Sequence, residues 1–348
     1  MTTINDVAKR AGVSPVTVSR VLNGAPNVNA ATRERVNRAI AELGYVPNIV
    51  ARSLRSRRTR SLALILPDIT NPFWPTVARG VEDAAQKGGY SVLLCNSDEN
   101  ADKQARYLEV VASQQVDGVI IAPCDSDPSK LAILRDRGVA TVVIDRRIDD
   151  WDVDTVRGDS VGGAHALVRH LVKLGHTRIA MLSGPAETST SQDRVAGYEA
   201  ALMHAGLPVD SRLLRYGEFR EASGREMMQS LLADCPVITA VFAANNAIAV
   251  GALEALGERG IRVPQDMALV CFDDLSPASQ LFPFLTVAEQ PAYEMGLEAA
   301  RLLLSALAAG APLAPRHVML PCRLIVRHSC GSRLDEGSIS LPLRHGPA

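Results

Sequence analysis

The feature that most constrains this chain is a repeated alternation of strand-like apolar runs with helix-length segments. One series of apolar runs occupies 62–66, 91–95, 118–122 and 141–144, and a second occupies 178–182, 213–216, 240–243 and 267–272. Apolar runs that alternate with helices are typical of βαβ units, in which helices cover both faces of a parallel sheet. Two such series predict an α/β core of two doubly wound parallel-sheet lobes.

The end of this core is predicted to return the chain from the second lobe to the first. A strand-like run at 285–289 precedes a helical stretch at 294–309. We therefore expect three crossings between the lobes. The core at 61–330 divides into a first lobe at about 61–157 and 290–317 and a second lobe at about 158–287 and 318–330. The tail, 331–348, contains Gly, Ser and Pro without leucine heptads, and we expect it to be disordered.

Charge is distributed unevenly along the chain. The whole sequence has a formal net charge of −1, but residues 1–60 contain 11 Lys and Arg against 3 Asp and Glu, a net charge of +8. The remainder therefore carries −9. A strongly basic end suits a polyanionic partner such as nucleic acid.

The first 46 residues have the pattern of three short helices. Thr3 and Asp6 form a capping-box pair before a first helix that Gly12 ends. Ser14 is a good N-cap and Pro15 a good first residue for a second helix, and a third amphipathic helix follows. Two short helices joined by a glycine turn predict an all-α helix-turn-helix headpiece at 1–46 that binds DNA.

In such a headpiece the outward side chains of the second helix face base edges and phosphates in the major groove. We expect these DNA contacts from Ser14, Pro15, Val16, Thr17, Arg20 and Asn23. The alternative is a small basic helical bundle that binds no DNA, and the layout of the helices favours the DNA-binding interpretation.

Four motifs in this region are specific: Asp6-Val7-Ala8, Ala11-Gly12-Val13-Ser14, Thr17-Val18-Ser19-Arg20-Val21-Leu22-Asn23 and Gly44-Tyr45-Val46-Pro47-Asn48. They closely resemble the headpiece signature of the LacI/GalR family of bacterial transcription regulators. The resemblance implies that 47–60 is a hinge helix and linker that orders on operator DNA. It also implies that Leu54 enters the minor groove and that Arg55 lies along the phosphates. An apolar wedge recovers its unstacking cost through the bent DNA. The alternative for the free protein is a solvated linker.

Polar and aromatic side chains follow the predicted strands of both lobes. In doubly wound sheets, ligands lie beyond the carboxyl ends of the strands, which for two facing lobes is the cleft between them. Carboxylates, amides and guanidinium groups pair with neighbouring hydroxyls, and aromatic faces stack on a sugar ring. We therefore expect a polyhydroxylated effector at Asn71, Phe73, Trp74, Asp145, Arg146, Arg194, Phe219, Asn245, Asp273 and Gln290.

All of these residues except Phe219 resemble the effector set of ribose-binding members of this family, whose core is periplasmic-binding-protein-like. The resemblance implies a monosaccharide effector, with a pentose such as ribose favoured. A purine or a sugar phosphate is the alternative effector, and each residue alone could instead cap a helix or fill the core. The chain has Asn245-Asn246 where the family usually has Asn-Asp, so its specificity is not simply transferred.

Enzyme and metal sites have little support in the sequence. The stretch 158–162 satisfies G-x-S-x-G, but the strand that a nucleophile elbow needs before it is short. His165, His170 and His176 lack the spacing of a metal site, and six cysteines without a C-x-x-C pair indicate reduced thiols. A hydrolase is therefore a remote alternative. We expect a protein that is not an enzyme and needs no cofactor or metal.

The N-terminus lacks a signal-peptide pattern, and no apolar run is long enough for a membrane span. We therefore expect a cytoplasmic protein without a membrane partner. A transport-type sugar-binding protein would share the core fold, but the headpiece and the missing signal peptide argue against it. The sequence predicts a transcriptional repressor that binds a pseudo-palindromic double-stranded operator as a homodimer, with allosteric control by the effector. Whether that effector is an inducer or a corepressor stays open.

Overall fold

A computed structural model describes residues 2–22, 24–45, 59–235, 237–275, 283–310 and 314–332. The chain forms two compact units, 1–59 and 60–348. Asn23, Leu54, Arg55 and the predicted tail beyond residue 332 lie outside the described residues.

The N-terminal unit contains three helices: α1 (Ile4–Ala11), α2 (Pro15–Leu22) and α3 (Ala30–Leu43). The predicted capping box is present, because the Thr3 backbone N–H donates to Asp6 Oδ2 at 2.8 Å and the Thr3 side chain accepts from the Asp6 N–H. Gly12 ends α1 in the left-handed conformation, at φ 64°. One apolar face of each helix closes a small core, whose buried members are Val7, Ala8, Ala11, Val18, Val21, Val36 and Ala39.

The first lobe of the larger unit is a six-stranded, wholly parallel sheet in the order β11-β5-β4-β3-β1-β2. Its elements are β1 (Ser61–Leu66), α4 (Phe73–Lys87), β2 (Ser91–Asn96), α5 (Ala101–Ser113), β3 (Gly118–Ile121), α6 (Ala132–Asp136), β4 (Ala140–Ile144), β5 (Asp154–Gly158), α11 (Ala292–Ala309) and β11 (His317–Leu320).

The second lobe is a six-stranded sheet in the order β12-β10-β9-β8-β6-β7, in which β12 alone is antiparallel to its neighbour. Its elements are α7 (Ser160–Lys173), β6 (Ile179–Ser183), α8 (Ser189–His204), β7 (Leu214–Tyr216), α9 (Glu221–Asp234), β8 (Ala240–Ala243), α10 (Asn246–Glu258), β9 (Ala268–Phe272), β10 (Thr286–Glu289) and β12 (Arg323–Ile325). The prediction of two doubly wound sheets is confirmed.

Strand β1 shows why its sequence is a continuous apolar run. Leu62, Leu64 and Leu66 pack with α4 and α11 on one face, whereas Ala63 and Ile65 pack with α5 on the other. Because helices cover both faces, every position of such a strand beyond its first residue is buried, and the alternation of a one-sided strand disappears.

The chain passes between the sheets three times, after β5, after β10 and after β11. The number of crossings agrees with the prediction, but β11 (His317–Leu320) lies in the first sheet, so the first lobe extends to about 320 rather than to the predicted 317. All six cysteines are free thiols. Within the described ranges, no helix is long and apolar enough to cross a membrane, and no three His, Cys, Asp or Glu side chains are grouped to hold a metal ion.

Candidate functional site

The second helix of the N-terminal unit is capped and oriented by residues at its start. Ser14 Oγ accepts a hydrogen bond from the Thr17 N–H at 3.2 Å and lies 3.0 Å from Thr17 Oγ1. This cap satisfies one of the free N–H groups that a helix start exposes. Val18 and Val21 are buried against α1 and α3, so the opposite face of α2 points outward.

That outward face carries the described residues that the sequence predicts to contact DNA. Val16 is 60% exposed. Of the other predicted contacts within the described chain, Ser14, Pro15 and Arg20 are exposed and Thr17 is half-buried. The face offers a hydroxyl, an apolar side chain and a guanidinium group, the types that contact phosphates and base edges.

Part of the positive charge of this unit has partners inside the unit. Arg33 donates to the Ala25 carbonyl at 2.9 Å and so supports the turn before α3. Arg10 pairs with Glu42 at 2.6 Å. The Glu42 carboxylate therefore offsets the charge of Arg10, whereas Arg33 keeps its full charge while it supports the turn.

The larger unit has a cavity of about 850 Å³ between its two lobes. It lies at the carboxyl ends of parallel strands, where the loops of both sheets meet. The structure brings nine of the ten residues predicted to bind an effector to its walls: Asn71, Phe73, Trp74, Asp145, Arg146, Arg194, Phe219, Asn245 and Asp273.

Two buried carboxylates face this cavity from opposite lobes. Asp145 follows β4 and Asp273 follows β9, both in the left-handed region at φ 66° and 62°. Burial raises the pKa of Asp145 and raises that of Asp273 to about 6, although the Arg194 guanidinium opposes both shifts. Desolvation disfavours an isolated negative charge. Hydrogen-bond donors, such as adjacent hydroxyls of a ligand, would therefore stabilise the ionised form of each carboxylate.

Arg146 is held by a residue that the sequence analysis missed. Glu99 accepts two hydrogen bonds from the Arg146 guanidinium, at 2.9 and 2.5 Å, and Pro123 O accepts a third at 2.7 Å. Burial by itself would lower the pKa of Arg146. The negative charges of Glu99 and Asp145 outweigh this effect, so the pKa of Arg146 is raised. Glu99 lies three residues beyond the end of β2. Its position after a strand was therefore the sequence signal that could have placed it at the cleft.

Arg194 lies on α8, and other residues of the second lobe hold its side chain in place. Its guanidinium donates to the Ala244 carbonyl at 2.7 Å, lies 4.0 Å from the centre of the Phe272 ring, and approaches Asp273 to 3.7 Å. Within the described chain, Nε of Arg146, Nε of Arg194 and Oδ1 of Asp145 are buried without a hydrogen-bond partner. Buried polar atoms are rarely left so, and a polar ligand or ordered water would satisfy them.

Gln290 does not line the main cavity. Its side-chain amide donates to Asp273 Oδ1 at 2.8 Å, and it lines a neighbouring cavity of about 530 Å³ beside the second crossing. Gly158 lies so close that a Cβ there would be 2.1 Å from Gln290 Oε1. Gln290 therefore reaches the main cavity through Asp273.

Aromatic side chains form apolar walls of the cavity. Phe73 and Trp74, at the start of α4, are buried with their rings edge to face and their centres 4.8 Å apart. Phe219, before α9, packs directly on Gly184, where a Cβ would be 2.2 Å from the ring. Such walls suit the C–H face of a sugar or the face of a planar ring.

Direct hydrogen bonds join the lobes around the cavity, and sequence reasoning predicted none of them. Arg220 donates to the Asp98 carbonyl at 2.9 Å. Asp193, on α8, accepts from Arg147 at 2.7 Å and from Arg157 at 2.9 Å. A further pair joins Asn71 and Asn246. These partners come from distant segments, so local spacing carried no signal for them.

Two family models match separate parts of the chain. The family model described as periplasmic binding proteins and sugar binding domain of the LacI family matches residues 59–328. The model described as bacterial regulatory proteins, lacI family, matches residues 3–48. The chain belongs to the LacI family.

Relatives of this LacI-family chain are transcriptional regulators rather than enzymes. The HTH-type transcriptional regulator DegA of Bacillus subtilis is 36% identical over 333 residues, covering 94% of this chain and 98% of the relative. The ribose operon repressor of Escherichia coli K12 is 37% identical over 297 residues, covering 85% and 90%. The LacI-family chain is thus a DNA-binding transcriptional regulator.

Solved LacI-family structures share its fold. The lac repressor dimer bound to operator and the anti-inducer ONPF has a TM-score of 0.83 at 29% identity, covering 94% of this chain and 99% of that one. A LacI-family regulator from Enterococcus faecium with bound ribose has a TM-score of 0.69 at 30% identity, covering 77% and 98%.

Proposed function

We propose that this regulator is a repressor whose operator affinity is controlled by a small neutral sugar, with a pentose such as ribose favoured. The observation that carries the proposal is the pair of buried carboxylates, Asp145 and Asp273, flanked by Arg146 and Arg194 between aromatic walls. Such groups accept from and donate to adjacent hydroxyls of one ring. A ribose operon repressor among the relatives and a ribose-bound solved structure support the same ligand class.

The charge balance of the cavity favours a neutral sugar over a sugar phosphate. The two buried arginines already have carboxylate partners, Arg146 with Glu99 and Arg194 with Asp273. A phosphate dianion would add negative charge beside two buried carboxylates, whose charges these guanidinium groups already balance. A purine, which the aromatic walls also suit, is the second candidate.

The DNA-contacting residues that we propose are those on the outward face of α2, including Val16, and the hinge residues Leu54 and Arg55, which lie outside the described chain. Val16 suits apolar contact with a thymine methyl group. A pseudo-palindromic operator requires two headpieces, so we propose a homodimer that acts in the cytoplasm, where bacterial DNA lies. The lac repressor dimer on its operator supports this arrangement.

The second copy of the chain would cover an apolar edge of the first lobe. Edge strand β2 exposes Leu93 and Leu94, and the adjacent α5 exposes Val110. An unpaired edge strand with apolar side chains favours pairing with another chain. Effector binding would change the angle between the lobes and thereby the spacing of the two headpieces.

The experiment is thermal unfolding of the purified protein with D-ribose, other pentoses, hexoses, ribose 5-phosphate and purines. A ligand at 100 times its Kd stabilises the folded state by about 2.7 kcal/mol. The proposal expects a rise of Tm with one pentose. A rise with a purine alone would overturn the sugar effector. The active sugar is then added to the protein bound to DNA selected from a random library, and unchanged DNA affinity would overturn allosteric control.

A further inference from the structure

Two asparagine side chains form a reciprocal pair across the cavity. Asn71 follows β1 in the first lobe, and Asn246 is the first residue of α10 in the second. Asn71 Nδ2 donates to Asn246 Oδ1 at 2.8 Å, and Asn246 Nδ2 donates back to Asn71 Oδ1 at 3.2 Å. Both residues line the cavity, and Asn246 is buried. The pair therefore links the two lobes at the cavity wall.

The orientation of each amide is set by further bonds inside its own lobe. Asn246 Oδ1 also accepts from the Ala247 N–H at 2.8 Å, and its Nδ2 also donates to the Asp274 carbonyl at 2.9 Å. Asn71 Oδ1 also accepts from the Phe73 N–H at 3.1 Å. A flipped amide would place like groups against each other at these contacts, so the local backbone selects one arrangement.

We propose that Asn246 is a positioning residue that clasps Asn71 across the cleft and holds its amide for the effector. The clasp rests on the proposed function in taking this cavity as the effector site. The Asn71 NH₂ group has two N–H donors, and the clasp uses one of them, which leaves the other for a ligand hydroxyl. Asn246 thus acts on the ligand through Asn71.

The neutral charge of the clasp suits a contact that forms and breaks as the lobes move. Two amide hydrogen bonds bury no net charge, and at about fivefold each they favour the clasped arrangement by about 25-fold, which is small enough for the clasp to break when the lobes separate. A carboxylate at position 246 would bring an acceptor oxygen against Asn71 Oδ1 and the Asp274 carbonyl, so Asn246→Asp would lose the donor half of the clasp.

The clasp is testable without any effector through Trp74, which is buried in the cavity wall. The chain has two tryptophans, so Trp151→Phe leaves Trp74 as the remaining one. In that background, Asn71→Ala and Asn246→Ala should both increase acrylamide quenching of Trp74. The double variant should be quenched no more than either single variant. The exposed amide variant Gln86→Ala is the matched control and should leave quenching unchanged.

Asn71→Asp separates the clasp from the bond that Asn71 accepts from the Phe73 N–H. Its carboxylate can still accept from the Phe73 N–H and from Asn246 Nδ2, but it cannot donate to Asn246 Oδ1. We expect intermediate quenching. Unchanged Trp74 quenching in Asn246→Ala, or additive effects in the double variant, would overturn the clasp.

Calorimetry with D-ribose tests the positioning role. Asn246→Ala should weaken ribose affinity by about fivefold, the effect of one neutral hydrogen bond. The double variant should bind as Asn71→Ala does, because Asn246 acts through Asn71. Full ribose affinity in Asn246→Ala would overturn the positioning role. If the wild type binds no ribose, the ribose proposal fails, while the quenching series still decides the clasp.

Discussion

At the scale of single residues, the cleft is a set of buried charges whose partners determine their state. Asp145 and Asp273 lie in low-dielectric surroundings that favour protonation, and Arg194 partly restores the ionised form. Arg146 keeps its charge because Glu99 accompanies it. The effect of each of these charged residues on the free energy of unfolding can therefore be measured without a ligand.

The raised pKa of Asp273 makes folding stability depend on pH. Its pKa rises from 3.8 in an exposed carboxyl to about 6, so the folded protein keeps a proton that the unfolded chain releases in this window. The stabilisation is full below about pH 4 and is lost as the pH rises through about 6. Between about pH 4 and pH 7, the wild type should lose on the order of 3 kcal/mol more of its unfolding free energy than Asp273→Asn. Urea titrations at several pH values measure this difference, and parallel pH profiles would contradict it.

Glu99 compensates a buried guanidinium, so its loss should be costly. Glu99→Gln keeps the size of the side chain but leaves Arg146 charged and poorly partnered, and we expect it to lower the unfolding free energy by about 3 kcal/mol. Chemical denaturation measures the change. The exposed pair Arg262 and Asp266 supplies the control, since Asp266→Asn should have a much smaller effect. If both variants lowered the unfolding free energy equally, burial of the Glu99–Arg146 pair would not increase its contribution to stability.

At the scale of elements, close approaches at glycine set the shape of the cavity. The loop that carries Phe219 crosses directly over Gly184, at the end of β6, with no room for a side chain between them. Close contact of this kind places an aromatic wall on a rigid strand end. The position of the wall thus depends on a residue that bears no functional group.

Gly184→Ala should displace the Phe219 ring and weaken effector binding, because the new Cβ would lie 2.2 Å from the ring. Ligand titration by calorimetry measures the change. Phe219→Ala alone should also weaken binding, through loss of the stacking face. In the double variant the steric conflict is gone, so Gly184→Ala should add little to Phe219→Ala. A full additive loss would mean that Gly184 acts by another route.

At the scale of the whole molecule, two sheets joined by three chain crossings create the cleft, and an apolar edge remains on the first lobe. The crossings keep the strand ends of the two lobes opposed across the cleft. The edge strand β2 is the surface that we assign to the second copy.

Leu94→Glu on this edge should weaken self-association, because a carboxylate would be buried in the interface between copies. Sedimentation velocity over a range of protein concentrations measures the shift from dimer to monomer. Met203→Glu, on the exposed end of α8, is the matched control and should leave the dimer intact. A dimer unaffected by Leu94→Glu would place the interface elsewhere.

The sequence by itself determined the features that depend on near neighbours. Caps and stops such as Thr3, Ser14 and Gly12 act within one helical turn, so they marked the first two helices of the first unit. The apolar runs marked the parallel strands. The carboxyl ends of adjacent parallel strands share one edge of a sheet, so the residues after those strands could be assigned to one cleft before their coordinates were known.

Only the tertiary structure decided which of these residues are partners. Arg146 meets Glu99 from 47 positions away, and Asn71 meets Asn246 from 175 positions away. Gln290 contacts Asp273 rather than the main cavity, because the second crossing carries it behind the strand ends. Such contacts depend on strand order and on the approach of the two lobes, which local propensity and spacing do not encode.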